Sequence, residues 1–89
     1  MTRPAKTKGG IAHMMRVKAL SCCTCGGGGS EAHHIRDQGV RAGDWVTIPL
    51  CPSCHRFSQG VHGDKTMLRI SRKTEWQHLN DTLEALYGG

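Results

Sequence analysis

Cys22, Cys25, Cys51 and Cys54 form two Cys-x-x-Cys pairs, and histidines crowd the space around them: His33 and His34 between the pairs, His55 beside the last cysteine, His62 seven residues on. Two such turns can aim four thiolates at one tetrahedral cation, and the 25 residues separating the pairs suit a four-cysteine zinc site. Gly26 behind the first pair permits the tight turn this needs. A structural Zn²⁺ is therefore expected on the four sulfurs. The imidazoles suggest a second kind of chemistry, because a neutral histidine either ligates a divalent cation or takes a proton from water near neutral pH. Successive side chains on a strand face opposite ways, so His33 and His34 cannot simply be twin ligands of one ion. One can bind a cation while its neighbour deprotonates a water in line with a phosphodiester, and His55 and His62 are the candidates for the other ligands.

Holding these groups requires a strand, a strand and a helix. Residues 30–35 could be a short strand, and residues 45–48 alternate bulky and polar side chains as a second strand would. The polar stretch 37–43 between them reads as a loop, and the four-glycine run 26–29 as a turn or hairpin loop. Pro52 fits the first turn of a short helix capped by Cys51, which carries Cys54 and His55 and stops near Gly60. Ahead of the first pair, Ile11, Met14, Met15 and Ala19 recur at helical spacing. A last helix is expected over residues 72–87, with Trp76, Leu79, Leu83, Leu86 and Tyr87 on its packing face and Gly88 ending it. These elements make one small α+β domain over residues 11–89, preceded by a flexible basic arm over residues 1–10, with no internal repeat.

With 89 residues, 37% of them hydrophobic and 4% aromatic, the apolar core must be thin. Ordering a chain costs about 1.5 kcal/mol per residue, which roughly cancels the burial term at this size. A metal can add on the order of 10 kcal/mol of folding free energy. The odd count of five cysteines, the Cys-x-x-Cys geometry and the lack of a recognisable signal peptide favour reduced thiolates in a cytoplasmic setting. No apolar run approaches about 18 residues, so no membrane span is expected. The formal charge of +5 is concentrated in residues 1–18, where Arg3, Lys6, Lys8, Arg16 and Lys18 meet no acid. Such an arm suits phosphate binding with counterion release, or serves as a solubilising tail.

The segments His13-Met-Met-Arg-Val-Lys-Ala-Leu20, Cys22-Cys-Thr-Cys25-Gly26, Glu31-Ala-His33-His34-Ile35-Arg36, Ile48-Pro-Leu-Cys51-Pro-Ser-Cys54-His55-Arg56 and Gly60-Val-His62-Gly63, in this order, resemble the His-Asn-His (HNH) nucleases with a ββα-metal core. The resemblance extends to small phage and prophage proteins related to the recombination-enhancement (Ref-type) nuclease. It implies a zinc-stapled ββα-metal fold with flanking helices, and a metal-dependent DNA endonuclease or nickase acting in the cytoplasm of a bacterial host. His34 takes the general-base place, His33 the catalytic-metal place, and His55 and His62 the helix-side ligand places, for Mg²⁺ or another divalent cation. DNA is the implied partner, with a recombinase filament as a further one. This chain departs from the family pattern at the middle asparagine, where Asp44 and Thr47 are the nearest residues, and at Gln59, where a histidine could have been a ligand. Arg16, Lys18, Arg36, Arg41 and Arg56 are the candidate phosphate contacts.

Blander readings stand beside these. His34 or His62 could be structural, Glu31 either a carboxylate holding a ligand histidine or a solvated charge, and Cys23 a small filler or a competitor for zinc. His78 is expected at the surface and His13 near the nucleic-acid-binding arm. The competing functional reading is a noncatalytic zinc-binding nucleic-acid module.

Overall fold

Thr7 starts the first helix: its hydroxyl accepts a hydrogen bond from the Gly10 N–H at 3.0 Å and caps α1 (Lys8–Lys18). The computed structural model describes residues 7–56 and 65–88. The helix thus begins inside the stretch expected to be a flexible arm, and residues 1–6 lie outside the described chain. Its inward face also differs from expectation. Gly10, His13 and Val17 are buried, whereas Ile11 and Met15 are 44% and 66% exposed. Gly10 explains part of the rotation, since a Cβ there would stand 3.2 Å from the Asp44 Cβ. A side chain there would have to push the Asp44 loop back by a few tenths of an ångström, so glycine favours this close approach to the helix. His13, expected near the arm, is instead completely buried.

After the first cysteine turn come β1 (Glu31–His34), β2 (Arg36–Asp37), β3 (Val40–Arg41) and β4 (Thr47–Leu50). β1 and β4 pair antiparallel, with His33 opposite Ile48 and His34 opposite Thr47. All four residues of β4 are buried. The second strand therefore starts at Thr47, two residues later than its sequence pattern suggested, and Trp45 stays outside it. The expected loop 37–43 contains the β2–β3 hairpin, whose turn residues Gln38 and Gly39 have φ of 53° and 82°. Positive φ at both turn positions matches the right-handed twist of the flanking strands.

Helix α2 (Pro52–Arg56) follows β4 directly, as its proline suggested. Residues 57–64, which include Gln59, Gly60 and His62, lie outside the described residues. Beyond them α3 (Thr66–Ser71), which the periodicity did not reveal, precedes α4 (Glu75–Tyr87). α4 begins at Glu75 rather than residue 72 because Thr74 and Gln77 form a reciprocal capping box. Ile35, Ile48, Leu50, Cys22 and Cys54 make the core, with Met67, Leu68 and Leu79 packed against it. Two of its five buried members are the thiols expected to hold zinc.

The face that α4 turns inward bears His78 and Thr82, while Trp76 and Tyr87 remain 50% and 48% exposed. Both were expected on the packing face, and each half-exposed ring forgoes on the order of 2 kcal/mol of burial. His78, expected at the surface, is 3% exposed. Ser71 donates its hydroxyl proton to the Leu68 carbonyl at 2.6 Å and accepts from His78 Nε2 at 2.9 Å. Burial holds the imidazoles of His13 and His78 below the ordinary histidine value, helped by Arg16 and Lys73 respectively. A histidine kept neutral in the fold is protonated more readily once unfolded. Its stability contribution is then constant above the unfolded value near about 6.5 and is lost as pH falls below it. His78→Gln keeps a donor for Ser71 without a titrating ring. Between about pH 7.5 and 5.5, the zinc-loaded parent should lose roughly 5 °C more in melting temperature than this variant, an effect of about 1 kcal/mol. Equal losses in the two melting curves would remove His78 from the account.

Candidate metal centre and histidine cleft

The sulfur atoms of Cys22, Cys25, Cys51 and Cys54 all lie within 4.8 Å of one another. Zn–S bonds of about 2.3 Å in a tetrahedron require sulfurs about 3.8 Å apart, and Cys25 Sγ stands 3.6 Å from Cys51 Sγ. The cluster can therefore hold a metal ion such as zinc. Its first half is a turn closed by two 2.8 Å bonds, Gly26 N–H to the Cys22 carbonyl and Cys22 N–H to the Gly27 carbonyl. Gly26 adopts φ +78°, a conformation that glycine takes without strain. Its second half is the start of α2, where one helical turn brings Cys54 back towards Cys51.

Hydrogen bonds prepare one of the sulfurs for ionisation. Burial alone would raise the Cys22 thiol, but the Thr24 hydroxyl 3.3 Å away and backbone N–H groups of Cys51, Cys25 and Thr24 outweigh it and bring the pKa to about 6. Cys54 is pushed up to about 12, first by burial. A cation is what allows all four to be thiolates together. Cys23 packs partly buried against the core and lies outside the sulfur group. Burial, reinforced by the charge on Cys22, pushes its thiol up to about 12, so it remains a neutral filler.

The histidines converge apart from the sulfurs. His33, His34 and His55 line one cleft of about 140 Å³, together with Ala32, Arg36 and Arg41. The His33 and His55 rings meet edge to face with centroids 5.0 Å apart. Alternation along β1 sends His33 towards α4 and His34 towards the loop ahead of β4, yet both reach the cleft. Each imidazole is held by a carboxylate: His33 Nε2 by Glu75 at 2.5 Å, His34 Nε2 by Asp44 at 2.9 Å, and His55 Nδ1 by Glu31 at 2.8 Å. An ionised carboxylate only accepts, so these bonds fix which ring nitrogen carries a proton. The arrangement is the carboxylate–histidine pairing that orients metal ligands and general bases.

Of the two candidates for the middle position, Asp44 bonds His34, while Thr47 is buried and donates its hydroxyl to the Asp44 carbonyl at 3.1 Å. Glu31 is held below the ordinary carboxylate range, chiefly by its bond to His55. Arg56, a candidate phosphate clamp, also pairs with Glu31 at 2.6 Å. Arg36 and Arg41 face each other across the β2–β3 hairpin at the cleft. Arg16 and Lys18 belong to α1, with Arg16 on Tyr87 rather than in the cleft. Glu75 went unnoticed in the sequence, because it lies 42 positions beyond His33 and no spacing signal links them.

Among the described residues, the four cysteines are the only group of three or more metal-binding side chains gathered around one point. The histidine cleft brings together two of the expected cation ligands, His33 and His55; His62 lies outside the described residues. No described helix is long and apolar enough to cross a membrane. Comparison of the chain with protein-family models, with curated proteins and with solved structures finds no match.

Proposed function

We propose that this protein is a metal-dependent DNA endonuclease or nickase in which β1, β4 and α2 act as a ββα-metal core stapled by zinc. The observation that carries the reading is the cleft itself, where three carboxylate-held imidazoles face two arginines. Arg36 and Arg41 sit directly opposite each other across two strands. Like charges so placed are destabilising unless an anion lies between them. A phosphodiester supplies that anion and receives bidentate bonds from guanidinium groups. His34 is the base: with Nε2–H donated to Asp44, Nδ1 takes the proton of the attacking water. Asp44 keeps the ring in that tautomer. His33 and His55 would hold a divalent cation, with Glu75 and Glu31 orienting them. Such a cation, when bound, neutralises charge on the phosphate and stabilises the leaving oxygen. These contacts read backbone rather than bases, so cleavage should be weakly sequence-specific.

Zinc-loaded protein is expected to nick supercoiled plasmid with added Mg²⁺ or Mn²⁺ and to be inert without either. His55→Ala, with its zinc retained, should lower the nicking rate by about a hundredfold, the equivalent of about 3 kcal/mol of transition-state stabilisation. Salt-sensitive DNA binding with no cleavage under any divalent cation would leave a zinc-pinned binding module and remove the enzyme.

A further inference from the structure

Trp45 follows directly on Asp44, the residue that holds His34, so the indole is a chain neighbour of the histidine cleft. One indole face is already covered by His13, with ring centroids 4.5 Å apart and planes inclined by 22°. Tyr87 stands beside it at 6.4 Å, its hydroxyl fixed by His13 Nδ1 at 2.7 Å and by Arg16 Nη1 at 3.3 Å. Trp45 and Tyr87 each remain 48% exposed. A chain with only four Phe, Trp and Tyr residues and a thin core leaves these two rings half in water. Packing alone would draw them inwards. Both are locked from behind, so laying another flat group on them costs little side-chain freedom.

The surrounding charge identifies that group. α1, on which Trp45 rests, carries Lys8, Arg16 and Lys18 and no acid. The Arg16 guanidinium lies 5.9 Å from the centre of the Tyr87 ring. A half-exposed indole with the Arg16 guanidinium at the neighbouring Tyr87 suits a nucleotide, whose base stacks while its phosphate meets the positive charge. A duplex hides its base faces, whereas unpaired nucleotides present them. We infer that the exposed face of Trp45, flanked by Tyr87 at an inclination of 41°, is a stacking platform for an unpaired base next to the phosphate in the histidine cleft, so that single-stranded or locally unpaired DNA is preferred over closed duplex. The placement of that phosphate rests on the nuclease reading; the platform itself does not require cleavage.

Trp76→Phe leaves Trp45 as the sole tryptophan and makes its fluorescence the reporter. The zinc-loaded full chain, with no Mg²⁺ or Mn²⁺ present, is titrated with a short oligothymidylate, an abasic strand of equal length and a duplex. Oligothymidylate should quench Trp45 and bind about tenfold more tightly than the abasic strand. Trp45→Ala should erase that difference by weakening oligothymidylate alone, and Trp45→Phe should keep most of it. Zinc content and circular dichroism verify each fold, and should Trp45→Ala fail to fold, the quenching of Trp45 in Trp76→Phe decides alone. Equal binding of base-bearing and abasic strands, preference for duplex, or an equal loss on both strands in Trp45→Ala overturns the platform. Base-dependent quenching without nicking under any cation would remove the nuclease and keep the platform; nicking with indifference to bases would do the reverse.

Discussion

Removing the metal from the four-cysteine cluster is expected to unfold the whole domain. Cys22 and Cys54 are 3% exposed and share the core with Ile35, Ile48 and Leu50. Taking the cation away therefore leaves sulfurs that cannot all ionise in the middle of the few apolar contacts the chain possesses. A structural zinc contributes on the order of 10 kcal/mol, as much as the entire stability of an ordinary domain at about 5–15 kcal/mol. A chelator should abolish the strand and helix signals of circular dichroism together, and Zn²⁺ should restore them while Mg²⁺, a poor match for thiolate, should not. Cys54→Ala should behave like the chelated parent. Cys23→Ala should not, because that thiol stays protonated and outside the cluster, and its loss should cost about 1 kcal/mol with zinc retained. Protons compete for the same sulfurs, so zinc and structure should be lost together as pH falls. Full secondary structure in chelator would contradict the dependence.

The sequence made the cysteine cluster legible because its information is local: two tight turns and a spacing. The histidine-bearing strand and the helix behind Pro52 could be read for the same reason, since alternation and a proline at the first helical turn report on backbone directly. What escaped depends on contacts between distant segments. Ile11 and Met15 obey helical periodicity, but the helix turns Gly10, His13 and Val17 inwards, since the Asp44 loop packs on Gly10. On α4 the polar residues His78 and Thr82 take inward positions that hydropathy would not assign them. Thr82 bonds the His78 carbonyl at 2.8 Å and His78 finds Ser71, so neither polar group is buried without a partner. The pairing of His33 with Glu75 joins β1 to α4 and has no signature along the chain. For the candidate site, residue types pointed to imidazole chemistry and to Asp44 and Glu31 as candidate partners, while the structure supplied Glu75 and matched each carboxylate to its ring.

The largest effect on the proposed reaction should come from His34. Replacing it with alanine removes the atom proposed to accept the water proton, and general-base contributions of this kind run to about 10²–10⁴ in rate. A merely structural histidine could also reduce activity, so the rate alone does not decide; added imidazole does. Small enough to enter the space vacated in His34→Ala, imidazole should restore a measurable part of the nicking if the missing function is proton transfer. Asp44 acts one bond further out. Asp44→Asn keeps an acceptor for the ring nitrogen but discards the charge, and should cost about 10–100-fold, without imidazole rescue. Thr47→Val bears on the other candidate for the middle position: among the described residues its hydroxyl reaches only the Asp44 carbonyl, at 3.1 Å, so this variant should lose less than Asp44→Asn. Single-turnover nicking assays on zinc-loaded variants rank the four proteins. Equal rates for parent and His34→Ala would remove the base from the mechanism, and a larger loss in Thr47→Val than in Asp44→Asn would exchange the two middle candidates.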